Sequence, residues 1–237
     1  MPLQMIIIVL VDLVAGLAPV LVFLRLQESI QKRKRRKDQF RYLSCFVGLY
    51  GVLRLLAALR GAFVFIGRQQ DLGMLVWNWG TGPLTYLHLV PLTVFYGMSF
   101  FPRKKSWRNL YIEFILLFVA ITVVTHFAYP STPGEITSWG TRPEPHPITE
   151  KLFVFTIFLP LTLSCIVDLI RRLRRWMKNK ALVDKQLIWV NAGILIYSFS
   201  GFFDALAIAK GWAFLAARIG IMVSALIIYV GATWELE

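Results

Sequence analysis

Histidine, cysteine and acidic residues are scarce in this chain. Its 237 residues include 3 histidines, 2 cysteines and 13 aspartates and glutamates, against 26 lysines and arginines. A zinc-dependent enzyme needs several such side chains at ligand spacing, and His88 with Asp12 and Asp204 is too sparse a set. Haem held between two imidazoles is not expected either, because His126 is predicted at a different depth from His88. We therefore predict neither a metal ion nor a cofactor.

Catalytic motifs are also missing. The sequence has no phosphate-binding glycine loop, no nucleophile elbow and no kinase motif. A retinal protein would need a lysine in its last helix for the Schiff base, and the last apolar run has none. We expect no complete catalytic centre in this chain.

What the chain does contain is a series of long apolar runs. Apolar residues make up 57% of it, and the mean hydropathy is +0.62. A helix needs about 20 apolar residues to cross a hydrocarbon core of about 30 Å. Seven runs have about this length: residues 3–24, 40–66, 77–101, 110–127, 152–170, 186–209 and 212–234. The sequence predicts an all-α fold, a single seven-helix membrane domain over residues 1–237, with an uncleaved first helix because a positively charged signal region is lacking.

The basic residues alternate between the connections of these runs. Nineteen of the 26 lie in the first, third and fifth connections, four lie in the others, and three lie within the runs. Cytoplasmic loops of membrane proteins carry such an excess of lysine and arginine. The pattern predicts an outside N-terminus, a cytoplasmic C-terminus and a multi-pass protein of the cell membrane, of the bacterial inner-membrane type. It accounts for the net charge of +13 without a nucleic-acid partner, and it places Cys45 and Cys165 near a reducing compartment, where no disulfide is expected.

Charged groups within the apolar runs form the candidate site. Arginine is costly in lipid, so each buried arginine is expected to face protein, water or ligand. Counting about 1.5 Å per residue along each helix places most of these groups in the outer half of the bundle. The candidate ligand-binding residues are Arg60, Arg218, Asp12, Asp204, His88 and Arg54.

Two interpretations of this outer cluster remain open. Its three arginines and two aspartates form a salt-bridge network that fixes helix packing, or the excess arginine holds an anionic ligand, since guanidinium pairs bidentately with carboxylate or phosphate. Arg54 lies two turns deeper than Arg60 and about 240° around the helix from it. Arg60 is therefore the predicted neighbour of the outer cluster. Nearer the inner face, Asp168 is expected to pair with Arg171 or Arg172 one turn on.

The third run and two connections have further structural signals. The third run begins WNWGTGPLTYLHLVPL, and its glycines and prolines predict a kinked or partly unwound helix that forms a cavity wall. Residues 129–147, with five prolines and two glycines, are predicted to be irregular, as a lid over the bundle or as a passive connector. The first basic connection is expected to prolong helix one and to contact anionic lipid headgroups.

The stretch LVPLTVFYGMSFFPRKKSW leads from the third run into the fourth. It resembles the seven-transmembrane N-terminal sensor regions of bacterial histidine kinases. The shared features are an aromatic-rich third helix that ends on Phe101, Pro102 and Arg103, a long loop after the fourth helix, and a seventh helix that leads inward. The resemblance covers essentially the whole chain and implies a sensor of a two-component system. In that family the last helix continues into a cytoplasmic output domain, whereas this chain ends at GATWELE.

The leading functional hypothesis is a receptor module that binds a small amphiphilic anion in an outer-half pocket. It would signal to a cytoplasmic output domain or partner protein, with membrane lipids as further partners and a homodimer as one assembly to consider. A small transporter or channel subunit is the alternative hypothesis, and a lipid-modifying membrane enzyme is the third. A sealed inner half favours the receptor, whereas a polar path through both halves favours transport.

Overall fold

A computed structural model describes residues 3–31, 36–134, 136–137, 140–141, 143–180, 182–205 and 212–233. These residues are almost entirely helical. The α-helices are α1 (Leu3–Gln31), α2 (Lys37–Gly61), α3 (Gln70–Val76), α4 (Gly82–Leu87), α5 (Val90–Phe100), α6 (Lys105–Ala128), α7 (Pro147–Leu152), α8 (Leu159–Asn179), α9 (Leu182–Ala205) and α10 (Trp212–Thr233). Three π-helical segments continue α2, α3 and α7: Ala62–Ile66, Trp77–Thr81 and Phe153–Phe158.

Six helices in the described part of the chain are long and apolar enough to cross a membrane. They are Ile6–Gln31, Lys37–Ile66, Lys105–Ala128, Pro147–Asn179, Asp184–Phe203 and Leu215–Thr233. Each overlaps one of the predicted runs, which confirms the helical fold class and fits a multi-pass membrane protein. The remaining run, residues 77–101, is not one continuous helix, because it is divided among a π-helical turn, α4 and α5. The prolongation of helix one beyond Arg25 is also confirmed, since α1 ends at Gln31.

Two helical hairpins, α1 with α2 and α9 with α10, are packed closely through glycine. A Cβ atom added to Gly51 would lie 2.9 Å from the carbonyl oxygen of Gly16. A Cβ atom added to Gly193 would likewise lie 2.9 Å from the carbonyl oxygen of Ser224. Small residues allow membrane helices to approach backbone to backbone. Because α1 also packs against α10, the two hairpins bring the polar side chains of α1, α2 and α10 together.

The segment between Gln70 and Phe100 is distorted, as its glycines and prolines predict. The π-helical turn Trp77–Thr81 leads into α4, and α4 is separated from α5 by His88 and Leu89. The Nε2 atom of His126, on α6, lies 3.1 Å from the carbonyl oxygen of Asn78 and can donate to it. A Cβ atom on Gly82 would lie 2.5 Å from the His126 ring, so only glycine permits this approach. His126 is 1% exposed and holds the distorted turn in place.

The loop after α6 is more regular than its proline content predicts. Strands β1 (Ile136–Thr137) and β2 (Gly140–Thr141) pair antiparallel, with Ile136 opposite Thr141. Thr132 and Glu144 form a further bridge through backbone hydrogen bonds of 3.1 and 2.9 Å. The paired backbone groups give this loop a short β-ribbon, although proline removes donors at five of its positions.

The two ends of the bundle differ in composition. We call the end that bears the β-ribbon the loop end. The opposite end, where α2 and α6 begin with Lys37 and Lys105 and α8 ends at Asn179, is the basic end. Between them lies an apolar core contributed by α2, α5, α8 and α9, with fully buried Phe40, Phe95, Tyr96, Cys165 and Leu187.

Candidate functional site

Asp12 is the centre of a buried charge cluster at the loop end. Nη2 of Arg54 donates a hydrogen bond to Oδ1 of Asp12, and Nε of Arg218 lies 3.1 Å from the same oxygen. The three residues are 5 to 6% exposed. Arg60 is close enough to Asp12 for electrostatic attraction. We call Asp12, Arg54, Arg60 and Arg218 the loop-end network.

The place of Arg54 in this network corrects the sequence-based prediction. Helical spacing made Arg60 the neighbour of the outer cluster and placed Arg54 deeper on another face. The structure instead pairs Arg54 directly with Asp12. The close contact of Gly16 with Leu55 brings α1 against this part of α2, and a long guanidinium side chain spans about one helical turn. Counting residues along a helix gives the depth of the backbone and ignores the length of the side chain, so it did not predict the contact of Arg54 with Asp12.

Arg60 links the loop-end network to the distorted segment. Its guanidinium carbon lies 5.2 Å from the centre of the Trp77 ring, within the range of a cation–π interaction. The indole Nε1 of Trp77 donates a 2.9 Å hydrogen bond to Oγ of Ser131, in the loop after α6. The Trp77 side chain therefore connects the loop after α6 with Arg60.

An open groove lies at the loop end beside this link. Its volume is about 340 Å³, and its lining residues are Asp71, Met74, Leu75, Asn78, Trp79, Ser131 and Pro133. The groove is bounded on one side by α3 and the π-helical turn and on the other by the loop, the two elements predicted to form a pocket wall and cover. None of the seven lining residues belongs to the loop-end network, so Arg60 and Trp77 are the described connection between them.

His88 lies below the loop-end network, in a layer of aromatic side chains. Its Nδ1 lies 3.0 Å from the carbonyl oxygen of Leu84, and its Nε2 contacts the hydroxyl of Tyr197. A proton on Nδ1 would satisfy both contacts, because Nε2 can then accept from Tyr197. Tyr50 packs on both His88 and Tyr197 and precedes Arg54 by one helical turn. His88 is therefore part of the packed core and is not a described partner of Asp12.

Asp204, the remaining predicted site residue, has a side chain that lies outside the described residues. Of the predicted set, the structure thus brings together Asp12, Arg54 and Arg218, with Arg60 nearby and His88 in the next layer.

A second buried network, at the basic end, escaped the sequence analysis apart from one pair. Asp168 was predicted to pair with Arg171 or Arg172, and the structure pairs it with Arg172, whose Nε lies 2.6 Å from Oδ2. Ser99 donates to Oδ1 of Asp168 at 2.9 Å, and Asn191 donates to Oδ2 at 2.9 Å. Arg172 also contacts Oδ1 of Asp184 at 3.1 Å. These five residues, with Arg175, form the basic-end network.

The basic-end network joins helices that are far apart in the sequence. Ser99 comes from α5, Asp168 and Arg172 from α8, and Asp184 and Asn191 from α9. Asp168 is 0% and Arg172 is 1% exposed. Partial loss of hydration and the positive charge of Arg172 lower the pKa of Arg36, which places Arg36 beside the network. The spacing of Asp168 and Arg172 was the one signal in the sequence, since the other partners depend on which helices become neighbours.

Comparison with known proteins gives no relative for this chain: no family model, curated protein or solved structure matches it. Among the described residues, no three His, Cys, Asp or Glu side chains are grouped as a metal site would require. The described part of the chain is almost entirely helical, with six apolar helices of membrane-spanning length. Its function has to be inferred from its two charge networks and the groove.

Proposed function

We propose that this chain is a membrane receptor module that binds a small amphiphilic anion at its loop end and signals to a cytoplasmic output domain or partner protein. In this proposal, residues 70–100 form a seventh, broken span, so that the N-terminus is outside and the C-terminus is cytoplasmic. Burial of Phe95 and Tyr96 within the bundle supports the seventh span. The position of Arg103 to Lys105 at the same end as Lys37 supports the orientation.

The observation that carries the proposal is the excess of cations beside the groove. Arg54, Arg60 and Arg218 carry three positive charges, and Asp12 with Asp204 supplies two negative charges. Among the described side chains, these three arginines lie near the carboxylate of Asp12. Guanidinium groups pair bidentately with carboxylates, so this concentration of positive charge favours an anion as an additional partner.

The lining of the groove favours an amphiphile over a simple ion. Met74, Leu75, Trp79 and Pro133 provide apolar surface for a short hydrocarbon chain. Asp71 would repel a carboxylate at its own position, so the anionic group is expected on the side of Trp77 and Arg60. The ligand class is therefore a medium-chain carboxylate or a similar anion.

A mechanism for signalling follows from the position of Arg218. Arg218 lies on α10, and its contact with Asp12 ties α10 to α1. An anion that competes with Asp12 for the guanidinium groups would weaken this tie. The last helix would then shift relative to the first hairpin, and its basic end would carry the shift to the cytoplasmic side.

Ligand-dependent thermal stabilisation tests the proposal. Three probes of equal chain length, decanoate, decanol and decyltrimethylammonium, are compared on the purified protein in detergent, because a ligand that binds the folded state raises its melting temperature. Decanoate should stabilise the protein most. Arg60→Gln should weaken decanoate binding about 10- to 100-fold, as expected for one charge-assisted hydrogen bond.

Two further variants make the test specific. Arg68→Gln removes an exposed arginine at the same end and should leave the decanoate shift unchanged. Asp71→Asn removes the negative charge from the groove and should increase the shift. Stabilisation by decyltrimethylammonium instead, abolished by Asp71→Asn, would show a cation site and contradict the proposal.

Transport is the second candidate, and the polar groups at several depths favour it. The loop-end network, the His88–Tyr197 pair and the basic-end network lie one below another along the bundle. Buried Leu89, Leu92 and Ile194 lie between the last two, together with buried Thr93. Uptake of labelled decanoate by proteoliposomes would establish transport, whereas binding without uptake supports the receptor.

A further inference from the structure

The arginines of α8 fall into two groups at the basic end. Arg172 and Arg175 face the bundle and pair with Asp184 at 3.1 and 3.3 Å. Arg171 and Arg174 are exposed and form no ion pair with a described residue. Asp184 thus pairs with Arg172 and Arg175, whereas Arg171 and Arg174 have no carboxylate partner among the described residues.

Arg108 on α6 is a cation of the same kind. It is half-buried and has no ion pair or side-chain hydrogen bond with a described residue. The nearest acidic residue on α6, Glu113, is exposed and lies about 140° around the helix from Arg108. Arg108 therefore lacks an anion from its own helix.

The register of α6 and α8 brings Arg108 and Arg171 to the same cleft. The hydroxyls of Tyr111 and Ser164 are 3.1 Å apart and join the two helices. Arg108 lies about 4.5 Å from Tyr111 along α6, and Arg171 about 10.5 Å from Ser164 along α8, both towards the basic end. Each lies within about 60° of its hydroxyl-bearing residue around its helix. Two arginines thus face one cleft from opposite sides.

The shape of this cleft suits a lipid. α6 packs against α5, α7 and Phe153–Phe158, and α5 also packs against α8, so α5 lies behind α6 and α8 at the basic end. Trp107, Val167 and Ile170 are exposed apolar residues beside the arginines. Trp107 is 57% exposed, and tryptophan is typical of the level of lipid headgroups.

We infer that the cleft between α6 and α8 binds the headgroup of an anionic phospholipid, with its phosphate between Arg108 and Arg171. A phosphodiester offers oxygens to both guanidinium groups, and its acyl chains lie along the exposed apolar faces of the two helices. The bound phosphate separates two like charges that the described residues leave without a carboxylate. The site lies at the opposite end from Arg60 and does not depend on the proposed receptor function.

Lipid binding to the full chain tests this inference. The protein in detergent is titrated with dioleoylphosphatidylglycerol or dioleoylphosphatidylcholine, and bound lipids are counted by native mass spectrometry. The wild type should prefer phosphatidylglycerol. The double variant Arg108→Gln, Arg171→Gln should bind it roughly 30-fold more weakly, the effect of two cations near an anionic headgroup. Binding of phosphatidylcholine should not change.

The matched control is the double variant Arg25→Gln, Arg41→Gln. It removes two exposed arginines of the basic end that already pair with Glu28 and Asp38. It should keep the preference for phosphatidylglycerol. An equal loss of phosphatidylglycerol binding in both double variants would show general surface attraction and overturn the assigned site. Displacement of bound phosphatidylglycerol by inorganic phosphate at the same concentration would also overturn it.

Discussion

The two buried charge networks satisfy their central carboxylates differently. At the basic end, Asp168 uses both oxygens, with Ser99 on Oδ1 and Arg172 and Asn191 on Oδ2. At the loop end, the contacts of Asp12 with Arg54 and Arg218 both involve Oδ1. Neutral donors contribute to the first network, whereas the described partners of Asp12 are all cations. Among the described residues, Asp168 is therefore bonded at both oxygens by residues of α5, α8 and α9, whereas Asp12 is approached at one oxygen by two arginines.

This difference separates a structural network from a candidate binding network. A carboxylate with several hydrogen bonds from different helices fixes those helices relative to one another. A carboxylate shared by two arginines can be replaced by a ligand that brings the same charge. The following changes test this distinction, from the largest expected effect to the smallest.

Arg172→Leu should cause the largest loss of stability. It leaves Asp168 buried without its cation and removes the link to Asp184 and Ser99. Breaking one side of a buried ion pair typically costs about 3 to 5 kcal/mol. Denaturant unfolding in mixed micelles measures the free energy. A loss below about 1 kcal/mol would show that the network does not hold α5, α8 and α9 together.

Asp12→Asn should be less costly, about 2 to 3 kcal/mol, because it removes hydrogen bonds to a charged group but keeps a polar acceptor. It also leaves Arg54 and Arg218 without their shared carboxylate. Decanoate should therefore raise the melting temperature of this variant more than that of the wild type. If decanoate has the same effect on both proteins, the network does not exchange Asp12 for a ligand.

Gly82→Ala tests how the loop end is held, and we expect a loss of about 1 to 2 kcal/mol from overpacking against His126. Gly201→Ala is the matched control, since a Cβ atom there meets nothing within 4 Å. In a helix this control should be neutral or stabilising, because alanine favours helix. Thermal unfolding of both variants would decide the point, and similar losses would argue against the His126 contact.

Arg175→Gln should have the smallest effect, below about 1 kcal/mol. The Arg175 side chain is 40% exposed, and Asp184 keeps its contact with buried Arg172. The small loss should shrink further in high salt, which screens exposed pairs. A loss of unfolding free energy as large as that of Arg172→Leu would show that Arg175 is as important to the network as the buried Arg172.

The sequence predicted the parts of this structure that depend on local pattern. Apolar length predicted the six helices, and glycine with proline predicted the interrupted third segment. A spacing of one helical turn predicted that Asp168 pairs with Arg171 or Arg172, and the pair is with Arg172. These features arise within one helix, so they do not depend on which helices become neighbours.

The remaining features depend on contacts between helices. Ser99 and Asn191 join Asp168 from α5 and α9, and no spacing in the sequence relates them. Arg54 reaches Asp12 because glycine brings α1 and α2 together and because its side chain is long. The burial of His126 was not predicted, because it depends on the Asn78 carbonyl that the π-helical turn offers. The periodicity of a sequence does not show which helices become neighbours.

The pairing of Asp12 with Arg54 has a consequence for biogenesis. Both residues belong to the first hairpin, so the charge of Asp12 is neutralised within a unit that leaves the ribosome early. This hairpin can enter the bilayer with Asp12 already paired, and Arg218 joins it only when α10 has been made. The basic-end network is completed only when α9 has been made, because it draws on α5, α8 and α9. We therefore expect the first hairpin to insert as a unit before the later helices assemble.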